Sequence, residues 1–211
     1  MGATVSQIRA VVKELASSLR DVEHDELVAL VEALWSVPVH ERRMAAVMLL
    51  AQHADRLGVA DLARLERLIR ASKTWALVDA VAVDVLGTMV RADPVRVSPV
   101  MDQWATDANF WIRRSALLAE LRPIRAGAAL DRFVARADPM LGETEFFIRK
   151  AIGWVLREAG RRRPDEAAAW LASRTQIASG VTVREAVKYL PPADSARRMT
   201  AYREKRPAAA R

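Results

Sequence analysis

The chain has 211 residues, 52% of them hydrophobic and 28% charged, a composition that marks a globular protein rather than a disordered one. Lys and Arg number 33 against 26 Asp and Glu, a net charge of +7. That excess suits a polyanionic partner, nucleic acid being the commonest, or simply serves solubility. The absence of Cys excludes disulfides, thiolate catalysis and zinc–cysteine sites, and the three histidines, His24, His40 and His53, form no metal-ligand motif. Neither a metal nor a cofactor is therefore expected.

The N-terminus, MGATVSQIRA, has no apolar core of the kind a signal peptide carries. The most apolar run, Trp75 to Val90, contains Asp79 and Asp84 and is short for a membrane span. A soluble, cytoplasmic protein is expected. Almost every segment has helical periodicity and none reads as a strand. HDELVALVEALW puts Leu27, Leu30, Val31, Leu34 and Trp35 on one face, with Asp25 as the expected cap. DLARLERLIRAS does the same with Leu62, Leu65, Leu68 and Ile69 behind an Asp61 cap. Helix stops fall at Val37-Pro38, Asp93-Pro94, Arg122-Pro123, Asp138-Pro139, Arg163-Pro164 and Pro191-Pro192. Second helices of successive pairs begin near His40, Thr74, Asn109, Thr144 and Thr182, steps of roughly 34 to 38 residues, as in two-helix solenoid repeats. The expectation is one all-α solenoid over residues 1–211 without an internal boundary, its second helices lining one surface, with residues 203–211 as a frayed tail.

Four segments on those second helices carry candidate chemistry. In WALVDAVAVDVLGTMV, Asp79 lies among apolar neighbours with Trp75 one turn before it. It is either a structural ion-pair partner or a carboxylate lining a cleft. Asp84 reads as a solvated or capping charge. In DANFWIRRSALLAEL, Arg114 sits in an apolar stripe with Trp111 and Leu118, and Arg113 is on another face. Arg114 either pairs with a carboxylate on a neighbouring helix or forks onto a phosphate. In FFIRKAIGWVLREAGRRRP, Ile148, Ile152, Val155 and Ala159 form a core stripe. Lys150, Trp154, Arg157 and Arg161 repeat its spacing two residues later, about 200° around the helix. A tryptophan among cations, with Arg149 to one side, suits a nucleic-acid surface or packing against the next repeat. VTVREAVKYL adds Arg184 and Lys188 at i, i+4, a phosphate-facing step or a solvated face.

In these segments the sequence resembles the AlkD family of alkylpurine DNA glycosylases, which is built from HEAT-like repeats. FFIRKAIGWVLRE matches that family's most characteristic segment, and NFWIRRSALL, REAVK and SKTWALVD match in order and spacing. The resemblance covers nearly the whole chain. It implies a right-handed α-solenoid of HEAT-like helix pairs with a concave DNA-binding cleft, and a monomer. It implies metal-free excision of purines alkylated at N3 or N7, such as 3-methyladenine and 7-methylguanine, from double-stranded DNA without base flipping. Asp79 looks like the catalytic carboxylate, and Trp75 and Trp154 look like the two cleft tryptophans. Arg114 and Arg157 look like the flanking arginines on the DNA backbone, and Lys150, Arg149, Arg113, Arg184, Lys188 and Lys73 complete the expected DNA-binding set. Nucleoid association in a bacterium follows from the same resemblance. The sequence departs from the family in having Thr74 where a second tryptophan is common and Ala76 where an acidic residue is frequent. GATVSQIRAVVKEL aligns with a segment the family reaches after another helical pair, so that first pair is expected to be missing. The alternatives to an enzyme are a non-catalytic helical-repeat DNA-binding relative and a solenoid that binds an acidic protein.

Overall fold

The structure, a computed structural model, describes residues 2–205. Among the described residues there is no strand, as the absence of period-2 patterning leads one to expect. The chain divides into two compact units, Met1–Val100 and Met101–Arg211. The first contains α1 (Val5–Ser18), α2 (His24–Ser36), α3 (His40–Gln52), α4 (Leu62–Ser72), α5 (Trp75–Ala80) and α6 (Gly87–Ala92). Six residues of π-helix, Val81–Leu86, join α5 to α6 without a break. The division falls within α7 (Pro94–Trp104). The second unit contains α8 (Phe110–Leu118), α9 (Leu121–Arg125), α10 (Asp131–Ala137), α11 (Phe146–Arg162), α12 (Pro164–Arg174), α13 (Gly180–Ala186) and α14 (Pro192–Lys205). Thus α14 includes the first residues of the expected tail, and the rest of the 203–211 segment lies outside the described residues.

In the first unit, α3 packs on α1, α2 and α5. In the second, α11 packs on α8, α12 and α13. This next-but-one stacking of second helices is how a solenoid buries apolar stripes that a single helix pair leaves uncovered. Leu27, Val31, Leu49, Leu65, Leu68 and Ile69 are buried in unit 1, and Ile112, Leu117, Phe133, Ile148, Ile152 and Val155 in unit 2. At roughly 25 cal/mol per Å² of apolar surface, each such side chain contributes about 1.5–3 kcal/mol.

Two start signals and one stop resolve differently from the sequence pattern. The chain enters α2 two residues earlier than an Asp25 cap would allow: Glu23 is the N-cap and Asp25 lies in the first turn. Asp61 does occupy the N-cap position of α4, but its side chain does not cap that helix. It is buried, accepts a hydrogen bond from the Gly58 amide at 2.9 Å, and faces Arg64 and His24 instead. Pro123 lies inside α9, and α8 has already ended at Leu118. A proline in the first turn of a helix removes only an amide that has no intrahelical partner, so it marks a beginning here rather than a stop. The remaining proline stops hold, with Val37, Asp93, Asp138 and Arg163 at the C-caps of α2, α6, α10 and α11.

Both units contain ion pairs that sequence neighbours do not reveal. In unit 2, buried Glu120 pairs with buried Arg136 at 2.6 Å and with Arg132 at 3.1 Å, and Arg136 also reaches Asp102 at 2.7 Å. In unit 1, His24 Nε2 lies 3.0 Å from Asp61, and its Nδ1 lies 2.9 Å from Asp25. The Asp25 hydrogen bond first, and then Asp61, raise the His24 pKa above 6.5. A raised pKa stabilises the fold while the imidazole is charged, and that margin disappears as pH rises through the folded-state value. Wild type is therefore expected to exceed His24→Gln in stability at about pH 5.5 and to lose the margin by about pH 8.5. Urea unfolding midpoints of the two proteins at both pH values check this, and an unchanged margin would contradict it.

Candidate nucleic-acid interface

In unit 1 the candidate residues follow a tight reversal. Lys73 closes α4 in the left-handed conformation, φ 50 and ψ 14. Glycine or asparagine usually takes this position because a Cβ crowds the following carbonyl. The reversal leads through extended Thr74 into α5, whose first residue, Trp75, is 56% exposed. Asp79 lies one helical turn on and is half-buried, while Leu77 and Val78 are fully in the core. The helix therefore presents a tryptophan and a carboxylate on its outward stripe.

Asp84 lies within the Val81–Leu86 π segment and is half-buried.

In unit 2 the two stripes of α11 separate as the periodicity requires. Ile148, Ile152, Val155 and Ala159 are buried, whereas Lys150, Trp154 and Arg157 are half-buried and Arg161 is exposed. The Glu145 carboxylate starts this helix by accepting from the Phe147 amide at 3.1 Å. Residues on α13 hold its polar face. Glu185, buried between the two helices, pairs with Lys150 at 2.6 Å and Arg157 at 2.6 Å, and with Lys188 at 2.9 Å. Three cations surround this one carboxylate, and Glu158 also lies 4.0 Å from Arg157. Arg161 lies over the Tyr189 ring at 3.9 Å and donates to its hydroxyl. Arg184 is exposed on α13.

The close approach of α11 and α13 depends on Gly153. A Cβ there would stand 2.7 Å from the Glu185 Cβ and 3.1 Å from the Thr182 carbonyl oxygen. Thr182 Oγ1 completes the contact by donating to the Arg149 carbonyl at 3.0 Å.

The other arginines of the expected set make internal contacts. Arg113 pairs with Glu143 through Nε at 3.0 Å and Nη2 at 2.7 Å, and its Nη1 donates to the carbonyls of Asp107 and Ala108. Arg149 donates to the Glu143 carbonyl at 2.6 Å. Arg114 is only 3% exposed, donates to the Phe147 carbonyl at 2.5 Å, and lies over the Phe147 ring. Phe147 belongs to a ring cluster with Phe110, Trp111 and Phe146. These contacts bind the start of α8 to the start of α11.

Glu185, Glu143 and Gly153 are the residues of this candidate interface that the sequence motifs do not single out. Glu185 sits inside REAVK between two cations that were noticed, but its partners are on another helix. Lys150 is 35 residues away.

The family model for DNA alkylation repair enzymes matches residues 1–190. The chain belongs to that family. Among curated proteins nothing matches. Among solved structures, the chain is similar to a protein described as a "Predicted DNA alkylation repair enzyme from Enterococcus faecalis", with a TM-score of 0.80 and 24% identity. The similarity covers 90% of this chain and 88% of that one, and it shows that the fold is shared.

For this family member, the electrostatics of the α11–α13 contact have a measurable consequence. Burial alone would raise the Glu185 carboxyl, but hydrogen bonds from Lys150 and Lys188 outweigh it and lower its pKa to about 2. A depressed carboxylate stabilises the fold above its unfolded pKa and loses that contribution as pH falls toward the folded value. Glu185→Gln is expected to be less stable than wild type at neutral pH, with the gap narrowing between about pH 5 and pH 2. Gly153→Ala is expected to cost about 1–3 kcal/mol by overpacking the same contact. Chemical denaturation across that pH range measures both, and a neutral effect of Gly153→Ala would contradict the close-approach argument.

Proposed function

We propose that the protein is a metal-free DNA glycosylase that removes positively charged N3- or N7-alkylated purines from duplex DNA. The observation that carries this reading is the outward pair on α5, an exposed Trp75 with Asp79 one turn behind it. Membership of the DNA alkylation repair family supports it, and so does the cationic α11–α13 face.

The chemistry suits these residue types. An alkylated purine already carries positive charge, so its C1′–N bond breaks with the electron pair leaving on the base, and no general acid is needed. Positive charge then develops on the deoxyribose as an oxocarbenium ion. Asp79 stabilises that charge and orients the water that adds to C1′ and gives up a proton. Trp75 offers an electron-rich ring face to the sugar, a cation–π contribution, and the resemblance assigns Trp154 the same kind of contact. Lys150, Arg157, Lys188, Arg184 and Lys73 hold phosphates, positioning the duplex rather than driving the reaction. Their charge opposes the developing cation, so they act away from C1′. Arg113, Arg114 and Arg149 serve this reading as braces that keep α8 and α11 in register. The protein grips the backbone rather than turning the base into a pocket, so bulky lesions are accepted.

Asp79→Asn is expected to keep duplex binding and to lower excision of 7-methylguanine by about a hundredfold or more. Single-turnover base release measures this, and equal rates for mutant and wild type would refute the role. Arg157→Ala is expected to weaken binding to all duplexes and to lower the slope of log affinity against log salt by about one. An unchanged slope would remove Arg157 from the phosphate contacts.

A further inference from the structure

The contact between α11 and α13 sets a carboxylate beneath its cations. The Glu185 side chain is 9% exposed, whereas those of Lys150, Arg157 and Lys188 are 40%, 25% and 49% exposed. A molecule approaching this face meets the cations before the carboxylate. Lys150 and Arg157 lie seven residues apart on α11, about 10 Å along its axis. Both nevertheless end on Glu185: Lys150 Nζ donates to Oε1 at 2.6 Å and Arg157 Nη1 to Oε2 at 2.6 Å. Lys188 shares Oε1 at 2.9 Å. Glu185 thus draws the two α11 charges together over Gly153, whose added Cβ would stand 2.7 Å from the Glu185 Cβ. Gly153 is the residue beside Trp154. Glu158, 4.0 Å from Arg157, does not do the same, because it pairs with Arg125 at 3.1 Å.

Packing alone does not account for this arrangement. Taking a carboxylate out of water is costly, and an apolar side chain of similar volume often joins two elements equally well. What the carboxylate adds is position. Each α11 pairing uses one N–H of its cation, and an ammonium carries three and a guanidinium five, so donors remain for a phosphate. We propose that Glu185 is a positioning residue for the duplex: by holding Lys150 and Arg157 from beneath, it fixes where the DNA backbone rests along α11 and weakens the grip in doing so. The proposal rests on the glycosylase reading above. Glu185 itself touches neither DNA nor the reacting atoms. Its charge opposes the field that draws the duplex, and its hydrogen bonds restrain donors that would otherwise follow other phosphates. Removing it strengthens binding and loosens the geometry, whereas losing a residue that merely held the fold would weaken both.

Full-chain Glu185→Gln and Glu185→Asp are compared with wild type, below their melting transitions, on an unmodified duplex and on one containing a single 7-methylguanine. Glu185→Gln is expected to bind the unmodified duplex about two- to fivefold more tightly and to steepen the slope of log affinity against log salt by up to about one. Its single-turnover release of 7-methylguanine at saturating protein is expected to fall about tenfold or more, the scale of a small misplacement. Glu185→Asp keeps the charge but shortens the reach, so a wild-type salt slope with slower release is expected. Should the Gln variant not fold, the Asp variant decides. Weaker binding by Glu185→Gln with a slope no steeper than wild type, or release at the wild-type rate by either variant, would overturn the proposal. Wild-type protein that binds duplex but releases no base would instead overturn the excision reading, and the affinity and salt slope of Glu185→Gln would then decide alone whether Glu185 restrains the grip.

Discussion

The absent side chain at Gly153 sets how closely α13 can lie against α11, and the polar face of α11 depends on that distance. With a Cβ only 2.7 Å from that of Glu185, any larger residue would drive the helices apart. At the observed spacing, Glu185 reaches Lys150 and Arg157 across the contact and Lys188 on its own side. A carboxylate buried among cations fixes long, flexible side chains in one arrangement. That face is positive and ordered, and an ordered donor loses less entropy on binding.

Unit 1 arranges its own chemistry through departures from ideal helix geometry. Lys73 adopts a left-handed turn that glycine would fit more easily, and the next residues expose Trp75. The π segment begins two residues after Asp79 and changes the phase of everything beyond it. Backbone irregularities of this kind concentrate at functional sites because only a surrounding fold with reason to hold them will do so. In α5 they fall on either side of the tryptophan–carboxylate pair.

The helical stacking was legible because burial imposes a period. Ile148, Ile152, Val155 and Ala159 had to share a face, and they do. Proline stops were legible where the proline follows a helix, and misleading at Pro123, which opens one. The cations of the candidate interface could be named from their spacing, but their partners could not. Glu185 lies 28 and 35 residues from Arg157 and Lys150, and Arg113 meets Glu143 across 30. Such pairs follow from the repeat spacing only when the register of adjacent helices is known. Arg114 offered a choice between a carboxylate on a neighbouring helix and a phosphate; in the fold it is buried and donates to the Phe147 carbonyl. The π turn had no signature, since Val81–Leu86 is as apolar as ordinary helix.

The central claim is that this member of the DNA alkylation repair family breaks the glycosidic bond of the damaged nucleotide. The most direct measurement incubates wild-type protein with methylated duplex DNA and separates the released products by chromatography and mass. The account predicts intact 3-methyladenine and 7-methylguanine as free bases, with matching abasic sites and no strand cleavage by the protein itself. Duplex bound without any base release, or release of methyl groups from bases that stay attached, would contradict it.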